Sequence, residues 1–339
     1  MTTVISTDVI STDVISADST TGIMEADAGA VSTGRVVYGS CNMFTVKTES
    51  LPPEIHECRI KGKILKTARG FYNPLAPGDL VEFDAARGLI LSLRERRSVY
   101  TRFNIKGNAP QLLAANVDAV VCLATPVSPP FRPRFLDRLL LQADAAEIPA
   151  LVVCNKVDLF PALDGETLVA VEKRLSDFER LGYPVLRVSV KTGEGMKSLE
   201  ARLKGRRAVL VGQSGCGKTS LVNALLPAAM QKTGALNKKY DRGNHTTVMS
   251  VLFDDGEAGF SLIDTPGIRR LVPDGIAPGD LQTLMRDFAP FAGKCAFGLS
   301  CTHGTEPGCR IREAVETGKI HEDRFESYIR ISDELSRRN

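Results

Sequence analysis

Residues 207–226 constrain the fold more than any other stretch. An apolar run, Arg207–Val211, leads into a glycine-rich turn, Gly212-Gln213-Ser214-Gly215-Cys216-Gly217-Lys218-Thr219, and then a helical pattern, Thr219–Leu226. The turn has the G-x-x-x-x-G-K-T form of a phosphate-binding loop in the strand-to-helix setting that such a loop requires. Its glycines let backbone N–H groups turn inward around phosphates, Lys218 offers a cation to the β- and γ-phosphates, and the Thr219 hydroxyl suits a Mg²⁺ ion. A strand of this kind must lie inside a mostly parallel sheet covered by helices.

Neighbours for that strand are readable on both sides. Before it come strand Ala119–Ala124, helix Pro133–Ala145, strand Ala150–Cys154, helix Gly165–Leu181 and strand Val185–Val190; after it come strands Met249–Phe253 and Phe260–Ile263. Apolar strands alternating with amphipathic helices predict an α/β P-loop domain with a parallel sheet.

A P-loop does not choose a base, but Asn155-Lys156-Val157-Asp158 does. It follows the end of a predicted strand, where open α/β sheets place ligand groups. It resembles the guanine-recognition motif of GTPases, in which the aspartate accepts from the ring N–H and the exocyclic amine. Ser189-Val190-Lys191 resembles the fifth GTPase motif, with valine where alanine is usual. Asp264-Thr265-Pro266-Gly267 resembles switch II, in which the carboxylate holds Mg²⁺ through water and the glycine N–H senses the γ-phosphate. Thr246 or Thr247 is expected to supply the switch I hydroxyl. The cofactor-binding set is therefore Asn155, Lys156, Asp158, Ser189, Lys191, Gly212 to Ser220, Thr246, Thr247, Asp264 and Gly267, for GTP or GDP with Mg²⁺. Both base motifs precede the P-loop, so the order is a circular permutation of the usual GTPase.

Upstream, five short β-branched runs between Gly34 and about Tyr100 predict a small closed barrel, an OB-fold by length, with an SH3-like barrel fitting the strand count nearly as well. Arg59, Lys61, Lys63, Lys66, Arg69, Arg94, Arg96, Arg97 and Arg102 are interspersed with Tyr72, Tyr100 and Phe103, a mixture that suits RNA. Residues 1–33 open with a Val-Ile-Ser-Thr-Asp repeat and carry five acids and no Lys or Arg, so they read as a disordered acidic extension. The net charge is +3; removing that −5 leaves +8 on the remainder, which permits a polyanionic partner without demanding one.

Three of the eight cysteines crowd beside a histidine: Cys295, Cys301, His303 and Cys309 form C-x5-C-x-H-x5-C. A Cys₃His set suits a structural zinc ion with no open position for catalysis. Gly298 is expected to take up, as a turn, one residue of the first gap. No long apolar run or secretory signal is present, which predicts a cytoplasmic protein without a membrane span. The expected organisation is an acidic extension, 1–33; an OB-fold barrel, 34–103; a permuted GTPase domain, 104–275; and a mostly helical zinc-binding domain, 276–339.

With these motifs in view, the chain resembles the ribosome small subunit-dependent GTPase A family of bacterial assembly factors. The likeness runs from about Gly34 to the C-terminus and includes Pro77-Gly78-Asp79, Ala115-Asn116-Val117-Asp118, Leu136-Asp137-Arg138, Gly212 to Ser220 and Arg242 to Thr247. It implies a factor that binds the small ribosomal subunit and its rRNA late in maturation, hydrolyses GTP in response and is thereby released; a monomer is the default expectation. Lys218 and Thr219 are expected to serve catalysis. Because Ile268 stands where Ras-type enzymes carry the water-orienting glutamine, His245 in switch I is expected to take that role. Two other readings stay open: a GTP-dependent RNA or ribosome tether with little turnover, and a permuted GTPase acting on another RNA or on the large subunit.

Overall fold

The computed structural model describes residues 31–40, 42–60, 70–229, 249–254 and 256–338. Five strands, β1 Val31–Ser40, β2 Met43–Thr48, β3 Ile55–Ile60, β4 Leu80–Asp84 and β5 Leu89–Leu93, close into a barrel in the order β1-β2-β3-β5-β4. All pairings are antiparallel except β3 with β5, where Arg59 faces Leu89. This is the expected five-stranded OB-type barrel. Val36, Phe44, Val46, Val81, Phe83 and Ile90 fill it. Gly34 lies where strands cross closely, since a Cβ there would stand 2.6 Å from Val46 Cγ1 and 2.9 Å from the Phe83 ring.

Two boundaries differ from the sequence reading. Val31, Ser32 and Thr33, assigned there to the extension, pair with Asp84, Phe83 and Glu82 and so belong to the barrel, because β4 needs a partner along its whole length. Residues 1–30 lie outside the described residues, as do Lys61, Lys63, Lys66 and Arg69. The expected division at residue 103 falls inside a hairpin, β6 Val99–Asn104 with β7 Ala109–Ala115. That hairpin packs on the GTPase domain: buried Tyr100 donates to the Leu139 carbonyl at 3.1 Å, and the Phe103 N–H donates to the Val272 carbonyl at 2.9 Å.

The central sheet runs β10 Val185–Arg187, β9 Ala150–Cys154, β8 Ala119–Ala124, β11 Arg207–Gly212, β13 Ser261–Asp264, β12 Val251–Phe253. It is mixed rather than parallel, because β12 joins the edge antiparallel to β13. The unbroken apolar runs of β8 and β9 are fully buried, as strands covered on both faces must be. Helices α1 Pro133–Ala145, α2 Gly165–Arg180, α3 Met196–Leu203 and α4 Lys218–Leu225 contribute Leu139, Leu140, Leu175, Phe178, Leu199 and Leu221, all fully buried. Each such side chain contributes about 1.5–3 kcal/mol by burial. Asp164 caps α2 by accepting from the Thr167 N–H at 2.8 Å.

The C-terminal region holds α5 Leu281–Leu284, α6 Arg310–Glu316 and α7 Glu322–Ser336. It docks on α1 through a buried ion network. Arg324 of α7 grips Asp287 with two hydrogen bonds, 2.9 and 2.6 Å, and reaches Asp137 of α1 at 2.9 Å. Ser327 donates to the other Asp137 oxygen at 2.5 Å, and Arg174 of α2 completes the cluster at 3.3 Å. Buried charges persist only when paired in this way, and the pairing fixes the register of α7 on α1. Among the described residues, no helix is long and apolar enough to cross a membrane.

Candidate nucleotide site and metal centre

β11 ends at Gly212 and α4 begins at Lys218, so the glycine-rich turn wraps the N-terminus of a helix next to two central strands. Gly215 and Gly217 have φ of 82° and 93°, which side-chain-bearing residues rarely adopt. Lys218 Nζ folds back to the Gly212 and Gln213 carbonyls at 3.1 and 3.0 Å, which aims the ammonium into the loop's concavity. Thr219 Oγ1 donates to Asp264 Oδ2 at 2.7 Å, so the two side chains expected around Mg²⁺ adjoin one another at the ends of α4 and β13. Beneath the loop, burial raises the Cys216 thiol pKa, so it stays neutral and packs as an apolar group.

The base loop is clamped to the phosphate loop. Asn155 Nδ2 donates to the Cys216 carbonyl at 3.0 Å, and Lys156, itself left-handed at φ 62°, donates to the Gly215 carbonyl at 2.7 Å and to the Ser128 carbonyl. A Cβ on Gly217 would stand 2.4 Å from Asn155 Nδ2, so only glycine permits this approach. Asn155 Oδ1 is buried without a hydrogen-bond partner.

The sequence pattern extended β10 to Val190, but the strand stops at Arg187 because the chain turns to form the second base loop. The Ser189 N–H donates to the Glu194 carbonyl at 3.0 Å and the Gly193 N–H to the Ser189 carbonyl at 2.9 Å. Ser189 Oγ donates to Asp158 Oδ1 at 2.7 Å, holding one carboxylate oxygen. A cleft of about 380 Å³ opens between the loops, walled by Asn155, Asp158, Val190 and Lys191 and floored by Gly217 and Ser220. Lys156 and Leu159 complete it; Leu159 and the Ser128 carbonyl are contacts that no sequence signal marked.

The segment expected to be switch II lies on the glycine-rich turn. A Cβ on Gly267 would stand 2.6 Å from Ser214 Cα, and the Ile268 N–H donates to the Gly212 carbonyl at 3.1 Å. Ile268 is buried, so its side chain faces the core and away from the cleft. His245, Thr246 and Thr247 lie outside the described residues.

A family model described as RsgA GTPase matches residues 93–272. A small ribosomal subunit biogenesis GTPase RsgA of Borrelia recurrentis (strain A1) is 35% identical over 309 residues, covering 90% of this chain and 95% of the relative. The protein of the same name from Gemmatimonas aurantiaca is 35% identical over 314 residues, 91% and 99% of the two chains. The chain belongs to the RsgA GTPase family. The crystal structure of YjeQ from Thermotoga maritima superposes with a TM-score of 0.66 at 30% identity, over 91% of this chain and 99% of that one. YloQ, described as a circularly permuted GTPase, shares the fold, with a TM-score of 0.64 at 24% identity over 93% and 98%.

As an RsgA GTPase the protein hydrolyses GTP and uses GTP, GDP and Mg²⁺. The cleft fits that chemistry in its own geometry: a glycine-lined concavity with one lysine, an orphaned buried amide oxygen and a half-engaged carboxylate.

The same RsgA GTPase carries its Cys/His group in the C-terminal region. Ligand atoms of Cys295, Cys301, His303 and Cys309, all buried, lie within 4.8 Å of one another. Cys295 Sγ stands 3.6 Å from His303 Nδ1 and 3.9 Å from Cys309 Sγ, and Cys309 Sγ is 3.4 Å from Nδ1. Tetrahedral zinc–sulfur bonds of about 2.3 Å and zinc–nitrogen bonds of about 2.0 Å imply separations near 3.8 and 3.5 Å, the spacing that Cys295, His303 and Cys309 show. Gly298, at φ 55°, forms the turn within the first gap, and its N–H donates to the Cys295 carbonyl at 2.8 Å. His303 is wedged beside Tyr328, ring centres 5.4 Å apart, which ties the knot to α7.

Proposed function

We propose that this GTPase binds the small ribosomal subunit and its rRNA during late maturation, hydrolyses GTP on contact with the particle, and acts as a cytoplasmic monomer. The observation that carries the reading is the clamp of the base loop onto the P-loop, Asn155 to Cys216 and Lys156 to Gly215, in a chain whose relatives are named small ribosomal subunit biogenesis GTPases.

In this reading Asp158 uses the oxygen that Ser189 leaves open to accept from the guanine N–H groups, while Lys156 pins the loop and Lys191 lines the cleft wall. Adenine offers no matching donors. Gly212 to Ser220 cradle the phosphates by their N–H groups, and Lys218 neutralises charge that grows there in the transition state. Thr219, and Asp264 through water, would hold Mg²⁺, with Thr246 or Thr247 as a further ligand, and the ion would supply positive charge to the phosphates. Gly267 reports the γ-phosphate. His245 orients the attacking water once the partner orders its loop. Cys295, Cys301, His303 and Cys309 would hold zinc in a structural role, their four donors leaving no position for catalysis.

GTP hydrolysis by the purified protein, measured alone, with small subunits and with large subunits, tests the reading. Stimulation by small subunits alone is expected, and His245→Ala should lose it while still binding GTP. A second reading, a GTP-dependent tether with little turnover, is favoured by the buried Ile268, which offers water no hydrogen bond. Intact GTP binding with no stimulation by either subunit would establish the tether, and stimulation by large subunits would move the protein to that particle.

A further inference from the structure

A second concavity, of about 740 Å³, lies away from the nucleotide, where the β6–β7 hairpin, α1, the chain after switch II and the end of α7 meet. It is nearly twice the size of the guanine cleft. Arg138, Arg270, Arg330, Arg337 and Arg338 line it, against two carboxylates, Asp333 and Glu334, an excess of three positive charges.

The acids do not neutralise the groove evenly. Glu334 is only 11% exposed and is consumed at the base, bridging Arg138 at 2.5 Å and Arg270. Asp333 stands 3.8 Å from Arg337, and both are exposed. Arg337, Arg270 and Arg330, the last of which also bridges Glu326 outside the groove, remain 82%, 64% and 61% exposed at the rim. Arg338 lies flat on Phe103, 3.6 Å from the ring centre, and is anchored by donating to the Pro273 carbonyl at 2.6 Å.

We propose that this groove binds a single-stranded phosphodiester segment of the RNA partner, with rim guanidiniums on phosphates and the Phe103–Arg338 stack as a platform for a base. The proposal rests on the ribosomal reading above for the identity of the RNA, though its chemistry does not. All five cations are arginines, whose planar forks match phosphate oxygens in pairs. A flat cation resting on an aromatic ring is a surface on which bases stack without regard to sequence. An acidic protein segment would answer the charge but leave the stacking platform unused.

The test uses the full chain and an Arg330→Glu, Arg337→Glu double variant, with folding checked by thermal melting. The probes are a fluorescein-labelled single-stranded oligouridylate, protein-free RNA extracted from small subunits, and intact small subunits. The variant is expected to bind both RNA probes about tenfold more weakly, and its plot of log affinity against log salt should flatten by about two units, one for each phosphate no longer neutralised. Unchanged RNA affinity overturns the proposal. So does a weakening confined to intact subunits, which would assign the groove to an acidic protein surface. Wild-type protein that small subunits fail to stimulate would sink the ribosomal reading, while the oligouridylate titration would still decide the groove.

Discussion

Asn155 and Cys216, 61 residues apart in the chain, are joined by a 3.0 Å hydrogen bond from the Asn155 amide to the Cys216 carbonyl. The loop proposed to choose the base thereby holds the glycine-rich turn proposed to take the phosphates. Asn155→Ala leaves a buried carbonyl unsatisfied, a cost of about 1–3 kcal/mol. We expect GTP and GDP affinities to fall together by about 10–100-fold, as read by fluorescent-nucleotide titration. A weakening confined to GTP would show that the clamp does not act on the base.

Gly267→Ala places a methyl group 2.6 Å from Ser214 Cα, a clash with backbone that no rotamer relieves. Switch II must then lift from the P-loop. GDP affinity should stay within about threefold while subunit-stimulated hydrolysis falls at least tenfold, because the interaction removed belongs to the γ-phosphate side. Equal losses for both nucleotides would mean that the glycine serves the fold rather than the switch.

Metal removal should separate the C-terminal region from the nucleotide site. A structural zinc ion is worth roughly 10 kcal/mol to a small domain, and Cys309 also caps α6 by accepting from the Arg312 N–H. Chelation or Cys309→Ser should expose backbone amides of 295–316 to hydrogen exchange while GTP affinity changes less than about threefold. Full exchange protection in metal-free protein would remove the zinc assignment.

His321 caps α7 by accepting from the Asp323 N–H at 3.1 Å. Burial lowers its pKa, Arg174 and Lys173 lower it further, and Asp177 and Asp323 oppose them. The folded protein therefore favours the neutral ring: the cap contributes fully above the unfolded value of about 6.5, and its contribution is lost as pH falls below that. His321→Asn, a cap that does not titrate, should melt like wild type at pH 7.5 and about 2 °C higher at pH 5.5. An identical pH dependence in the two proteins would rule the histidine out.

The position of the glycine-rich turn and of the loop after β9 was legible because each is a local pattern, complete within a few residues and set at the end of a strand. Gly298 likewise announced its turn, since a glycine between two cysteines that must converge tolerates positive φ. The β6–β7 hairpin has its turn signal in Gly107-Asn108 between apolar runs, but the basic residues interrupting β6 obscure its strand pattern. Leu136-Asp137-Arg138 stood out with no assignable role, because its partners, Arg324, Ser327 and Glu334, come almost two hundred residues later. Such networks leave no local trace.

The strand order β10-β9-β8-β11-β13-β12 places the P-loop strand between a neighbour made before it and one made after it. As the chain emerges from a translating ribosome, the loop proposed to take guanine is complete some sixty residues before the one proposed to take the phosphates. Neither GTP nor GDP can therefore steady the early half. Until β11 arrives to zip against β8, the nascent domain keeps an open sheet edge, and ligand-assisted folding starts only once β11 and the loop after it have been made.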